Sequence, residues 1–436
     1  MPADKERPSE PLAWGGPQAC ITKEQLEEHL ETFVRQHPGV KRLLLIPPDI
    51  TRLNSRAGEI TAFLYHHYKE QAHVRIMPAL GTHLPMSEDE LRKMFGQSIP
   101  LDVFLVHDWR NSLIVLGQLE GSEVEELSGG RLDFPIDIGV NRELLDGEYD
   151  LIVSIGQVVP HEVIGMANYT KNILVGTGGG DTINKTHFMG AVCRMENIIG
   201  KTLTPVREAL NKGFDRFVRD KVNITFIMSV VGSEAGKPAL RGLFIGNDLE
   251  TYSRACELSQ AVNITHLERP VDKCIVYLNP DKYKSTWLGN KAIYRTCMAM
   301  ADGGELIVLA PGLTTFGEDP EIDRLIRKYG YKGTDKTLTS ATENSDLERN
   351  LSAAGHLMKG TSNGRFSITY CPGDGISRDE VESVGYSYCH YDKAASRYPV
   401  SEMVEGWNRI GEEDLFFIKD PALGLWMAKD RSTLPI

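Results

Sequence analysis

The chain has 436 residues, 48 Lys and Arg against 60 Asp and Glu, and a formal net charge of −12. That length suits two or three domains, and 41 glycines with 22 prolines are too few for a disordered or collagen-like chain. The acidic balance argues against nucleic acid as the main partner, because binding its backbone needs a basic footprint.

Seven cysteines are scattered at positions 20, 193, 256, 274, 297, 371 and 389 with no CxxC pair. This pattern argues against a disulfide framework or a zinc site. The opening stretch MPADKERPSEPLAWGG has no apolar core of a secretory signal. No apolar run approaches the roughly 18 residues that a spanning helix needs. The expectation is a cytoplasmic protein with no membrane partner.

Residues 1–20 read as a loose, Pro-rich lead-in. Thr22 and Gln25 form a capping box, and Leu26, Leu30, Phe33 and Val34 follow at helical spacing. Residues 41–46 (KRLLLI) read as a buried strand, 58–71 as a helix and 73–80 as a strand. Ser87 and Glu90 cap the next helix, residues 101–108 (LDVFLVHD) read as a strand, and 149–156 as another. In the second half, residues 274–280, 304–312, 366–373 and 415–420 read as strands. TWLGNKAIYRTCMAMA and EDPEIDRLIRKYG read as helices. Short apolar strands alternating with helices predict an α/β fold: two α/β domains with mostly parallel sheets and a cleft between them. The expected division is a cofactor-binding domain over 21–268 and a C-terminal domain over 271–436. The boundary falls at Glu268-Arg269-Pro270, and the last segment is a candidate to pack back on the first domain.

In parallel sheets ligands gather beyond the C-terminal strand ends. That rule singles out Asp49 to Arg52, Gly81-Thr82-His83, His107-Asp108, and Gln157 to His161. His107 and Asp108 read either as supports behind a site or as a simple cap. The turn GTGGGD (176–181) matches neither a Walker loop nor a dinucleotide fingerprint. Alone it reads equally as a phosphate cradle or as an ordinary loop.

Taken together, the spacings say more. His161 is followed by Lys171 ten residues on and by His187 sixteen residues after that. Upstream stand Asp49-Ile50-Thr51-Arg52 and Gly81-Thr82-His83-Leu84-Pro85, and downstream Lys291 lies near the start of the second domain's first helix. With these motifs the chain resembles the nickel-pincer nucleotide lactate racemase family over roughly residues 40–310. The resemblance implies a cofactor, the nickel-pincer nucleotide (a pyridinium-3-thioamide-5-thiocarboxylic acid mononucleotide with nickel), bound covalently to Lys171. His187 is then the protein ligand to nickel, which suits imidazole. The cofactor phosphate has candidate cradles in Gly176, Gly178 and Gly179 and in Asp49 and Thr51. The implied reaction inverts the α-carbon of a 2-hydroxy acid by hydride transfer, with His83 and His161 exchanging the hydroxyl proton. Arg52 and Lys291 are the implied holders of the substrate carboxylate. Arg52 has an alternative place at the cofactor phosphate, and Lys291 one as a solvated helix residue. The resemblance also implies cofactor-maturation enzymes as partners; an oligomer is compatible with it.

The departures bear on substrate. Leu84 stands where the family has Arg, Ala167-Asn168-Tyr169 where it has Ser-Gly-Gly, and Leu288 where it has Gln, beside Trp287. Asn168, Tyr169, Trp287 and Leu288 are therefore candidate substrate-pocket residues. They point away from lactate to a larger or polyhydroxylated acid such as a sugar acid, with malate or a short-chain 2-hydroxy acid as the alternative. Trp287 and Tyr169 read equally as core aromatics. A ligand-binding sensor of the same fold is the competing class.

Overall fold

A computed structural model describes residues 11–429. The chain falls into two compact units. One takes the described residues up to Thr186 together with Gly200–Asn263; the other takes His187–Ile199 and the chain from Ile264 onward.

The first unit is organised around a six-stranded sheet. Its spatial order is Leu12–Gly15, Lys237–Gly246, Ile224–Glu234, Leu151–Gln157, Arg42–Ile46 and His73–Ile76. The last four strands run parallel, and the first two add antiparallel at one edge. The central strands are near-continuous apolar runs because both faces are covered. Leu43, Leu44, Leu45 and Ile46 are fully buried. Helix Lys23–Arg35 starts where Thr22 and Gln25 cap each other, and lays Leu26, Leu30, Phe33 and Val34 on the core. Helix Glu88–Phe95 has the same reciprocal cap from Ser87 and Glu90.

Two segments differ from their sequence reading. Leu12–Gly15, read as lead-in, is the edge strand, and Arg241 fastens the following chain by donating to the Ala19 carbonyl at 2.7 Å. Residues 1–10 of that lead-in lie outside the described residues. Residues 101–108 are not a strand. Leu101–Val103 is a short 3-10 turn and only Phe104 bridges to Ile76. Pro100 removes a donor at the start of the run, and Asp102 interrupts its apolar pattern. The strand in this region is Leu113–Leu119, paired antiparallel with Ile136–Asn141 apart from the main sheet.

The second unit has its own six-stranded sheet, ordered Ser387–Tyr388, Ser367–Pro372, Met300–Ala310, Val271–Tyr277, Glu413–Ile418 and Gly406–Ile410. All neighbours are parallel except the last pair. Trp426–Ala428 pairs in parallel with Thr265–Leu267 in the same unit. The stretch read as one helix from Thr286 is two short turns, Thr286–Gly289 and Lys291–Tyr294. The break falls at Asn290, whose buried side chain accepts hydrogen bonds from Tyr370 and Tyr386. No helix among the described residues is long and apolar enough to cross a membrane.

Candidate functional site

The candidate site of the first unit sits on the C-terminal ends of its parallel strands. After strand Arg42–Ile46, Asp49 caps the 3-10 turn Ile50–Ser55. One oxygen of its carboxylate accepts from the Thr51 backbone N–H at 3.1 Å and from the Thr51 hydroxyl. The other accepts from His83 Nδ1 at 2.6 Å. The Asp49 side chain is 8% exposed and that of His83 62% exposed, so a buried anion aims an accessible ring. Burial alone would raise the Asp49 carboxyl, but the hydrogen bonds from His83 and Thr51 outweigh it and hold its pKa below the ordinary value. The ionised carboxylate keeps a proton on Nδ1 and leaves Nε2 of the neutral ring as an acceptor. Asp49 and Thr51 thus face each other and His83. An ionised Asp49 carboxylate disfavours a phosphate placed directly beside it.

His161 is held differently. Pro160–His161 pairs with Gly165–Met166 in a small antiparallel ladder, His161 opposite Gly165. Gly165 has φ of 92°, a conformation that favours glycine. The Val163 N–H donates to His161 Nδ1 at 3.1 Å, so the neutral ring carries its proton on Nε2.

Lys171 follows a turn in which Asn168 and Tyr169 have φ of 71° and 58°. Such angles are strained for residues with side chains and persist only where the surroundings enforce them. Here the enforcing group is Arg207, which is fully buried. Its guanidinium donates to the carbonyls of Met166 and Asn168 at 2.6 and 3.2 Å, to the Thr170 hydroxyl at 2.9 Å and to the Tyr252 hydroxyl at 2.8 Å. Tyr169 stacks on Tyr252 with ring centroids 5.0 Å apart and is 1% exposed. It anchors the turn in the core, which is the second of the two readings that the sequence leaves open for it. Asn168 is also buried, but its Nδ2 has no partner among the described residues.

Asn172 ties the helix Thr170–Leu174 to the strand ends, donating to Ser154 Oγ at 2.9 Å and to the Ile46 carbonyl at 3.3 Å. Burial first, then the positive charges of Arg52 and Arg207, push the Lys171 amine down to about 8, while Asp49 and Glu162 pull the other way. Arg52 itself is exposed.

The glycine-rich turn proves to be a packing joint. A Cβ at Gly178 would lie 1.8 Å from the Leu174 carbonyl oxygen, and one at Gly176 2.3 Å from that of Asn172. At Gly179 it would meet Leu113 at 2.8 Å. The carbonyls of Gly176, Thr177 and Gly178 accept from Gly81 N, Asn141 N and His107 Nε2 at 2.8, 2.8 and 3.1 Å. These contacts account for the glycines without a phosphate. They also settle His107, which is buried between Gly178 and Asn141 and supports the turn. Burial holds its pKa below the ordinary value.

The remaining candidates belong to the second unit. Trp287 packs at a tilt against His356, ring centroids 4.3 Å apart, and this buried histidine also bonds the Tyr331 hydroxyl at 2.9 Å. Burial, reinforced by Lys359, pushes His356 down to about 3. Leu288 and Lys291 are partly buried in the two short turns beside it. His187 is partly buried on helix Gly180–Val192, on the second unit's side of the division. Among the described residues no three His, Cys, Asp or Glu side chains are grouped to hold a metal.

Sequence reasoning missed Arg207. Its signal was a cation at the spacing of the apolar stripe Leu210 and Phe214, on a helix capped by Thr204.

The geometry has counterparts. Residues 19–198 match the lactate racemase N-terminal domain family. The chain is 25% identical over 350 residues to the lactate racemase of Thermoanaerobacterium thermosaccharolyticum, covering 76% of each chain. A crystal structure of a Thermotoga maritima protein superposes with a TM-score of 0.76 at 24% identity, over 95% of this chain and all of that one. The lactate racemase apoprotein of T. thermosaccharolyticum gives 0.68 at 17% identity over 92% of each chain. Residues 19–198 thus match the N-terminal domain of the lactate racemase family, and the chain shares the fold of the lactate racemase apoprotein.

Proposed function

We propose that the protein is a racemase or epimerase of a 2-hydroxy acid that works with a nickel-pincer nucleotide. One observation carries the reading. Asp49 both fixes His83 as an acceptor and acts electrostatically on Lys171, an amine held well below ordinary lysine, at one strand end. A perturbed lysine and an oriented histidine that share the influence of one carboxylate are the signature of a worked site.

The residues present fit the cofactor. Lys171 is partly buried and biased towards the neutral amine that a covalent link requires. Asn168 keeps a buried Nδ2 without a partner, and a Cβ on Gly156 would come within 3.2 Å of it, so glycine leaves that side open. Lys171 would carry the group, Asn168 would donate to it, and His187 would give nickel its protein ligand. When bound, the group supplies a reversible hydride acceptor. The protein supplies the rest. Arg52 is the exposed cation at the strand end for the substrate carboxylate, and Lys291 is the second unit's candidate for the same task. His83 takes the hydroxyl proton at Nε2. His161 presents Nε2–H to the substrate oxygen, and serves as the base for the opposite enantiomer once its Val163 contact opens. With Tyr169 in the core, the case for a bulky substrate rests on Trp287 and on Leu84, which is 87% exposed beside His83.

A substrate panel of 2-hydroxy acids, each with deuterium at C2, tests the reading. The inverted product of the true substrate retains the label. Inversion with complete loss of label to water means ordinary proton abstraction and overturns it.

A further inference from the structure

The second unit contains a cavity that the proposed reaction does not use. We infer that it binds the phosphate group of a small molecule at the start of helix Thr334–Glu343.

The cavity is about 560 Å³ and is lined by Arg194, Lys332, Gly333, Thr334, Asp335 and Lys336, together with the loops 360–364 and 385–387. That volume lies within the range of small-molecule sites. The helix has ten residues and begins directly after Gly333, whose φ is 97°. The Thr334 N–H donates to Asn363 Oδ1 at 2.8 Å. The N–H groups of Asp335 and Lys336 belong to the first turn, where an α-helix offers no acceptor of its own. The helix dipole adds a partial positive charge there.

A second observation points to a ligand independently of the helix end. Thr334 is 1% exposed, and its hydroxyl has no hydrogen-bond partner among the described residues although the residue lines the cavity. Buried hydroxyls are ordinarily satisfied. The Nε of Arg194, on the same wall, is likewise buried and unpartnered. The charges agree in sign. Asp335 is paired with Arg194 at 3.2 Å, which leaves Lys332 and Lys336 in surplus on this wall of a chain whose net charge is −12. A hydroxyl, two backbone N–H groups and two ammonium groups among the lining residues suit a tetrahedral oxyanion with several acceptor oxygens. A carboxylate, with two oxygens, would leave some of these donors unused. The cavity exceeds what a lone phosphate fills, so an organic residue attached to the phosphate has room.

Inorganic phosphate is the first probe, titrated into the full chain by calorimetry against chloride at equal ionic strength. Saturable binding is expected. Thr334→Val and Lys336→Glu should each weaken it about tenfold, the loss of one charge-assisted contact. Lys336 is exposed, so Lys336→Glu keeps the test valid if Thr334→Val fails to fold. Sugar phosphates and a nucleoside monophosphate follow. Tighter binding than inorganic phosphate assigns the cavity to an ester, and equal binding assigns it to free phosphate. No saturable binding of any of them, or unchanged affinity in both variants, overturns the inference.

Discussion

His83 and His161 follow strands of the same sheet that are separated by Arg42–Ile46, and the backbone and its polar groups hold them in opposite ways. His83 gives its Nδ1 proton to a buried carboxylate at 2.6 Å. His161 receives a backbone N–H on Nδ1 at 3.1 Å. The first arrangement makes Nε2 a base, and the second makes Nε2–H a donor. The proposed reaction calls for one ring set as acceptor and one as donor, so that a proton is exchanged on either face of the hydroxy acid. Residue identity alone makes them equivalent; their partners make them different.

The comparison breaks first at the rings themselves. His83→Ala and His161→Ala should each lower racemisation by roughly 10²–10⁴-fold, the usual worth of a positioned acid or base. Both variants should keep the mass increment that the cofactor adds to the chain. For a pair of enantiomers the equilibrium constant is one, so kcat/KM should fall equally in both directions. Racemisation retained at the wild-type rate in either variant would refute the assignment.

Asp49→Asn tests whether the carboxylate is what sets His83 apart. A fall of about a hundredfold is expected, because the amide no longer enforces the Nδ1 proton. The double variant Asp49→Asn, His83→Ala should be no slower than His83→Ala alone, since the two residues act as a unit. Additive losses would give Asp49 a separate role.

His356 sharpens the contrast from the side of stability. It is buried with Trp287 and Tyr331 and is pushed down to about 3, against about 6.5 for the unfolded chain. Between those values the unfolded chain binds a proton that the folded one refuses. Its contribution is therefore whole above pH 6.5 and declines as pH falls towards 3, by about 1.4 kcal/mol per unit. Denaturant unfolding at pH 7.5 and 4.5 should show this loss, and His356→Gln should reduce it. An unchanged acid dependence would mean that the ring titrates normally.

The smallest effect concerns Lys171. An amine-reactive probe should show half-maximal reactivity of Lys171 near pH 8, and Arg52→Gln should move it upward by removing a like charge. A downward move, or a wild-type midpoint near 10.4, would contradict the electrostatics.

The parallel sheets, the two caps at Thr22 and Ser87 and the ordered motifs from Asp49 to His187 were legible in the sequence. Period, cap and spacing are local signals, and the family resemblance supplied roles. What was not legible depended on long-range contacts. Nothing local says that Asp49 would turn to His83, 34 residues away, and not to a phosphate. The glycines at 176–179 look like an anion loop until the carbonyls of Asn172 and Leu174 appear behind them. Tyr169 replaces a glycine of the family pattern, and only its stacking on Tyr252 and the grip of Arg207 explain how a side chain is tolerated there. Residues 101–108 have the composition of a strand, but only Phe104 bridges, to Ile76.

The central claim is that Lys171 is the attachment point of the cofactor. It is tested most directly by intact mass and peptide mapping of the chain matured with the cofactor-making enzymes, alongside nickel analysis. The account predicts an adduct on Lys171, one nickel per chain, and neither in Lys171→Arg. An unmodified Lys171 in nickel-free protein matured under those conditions would contradict it.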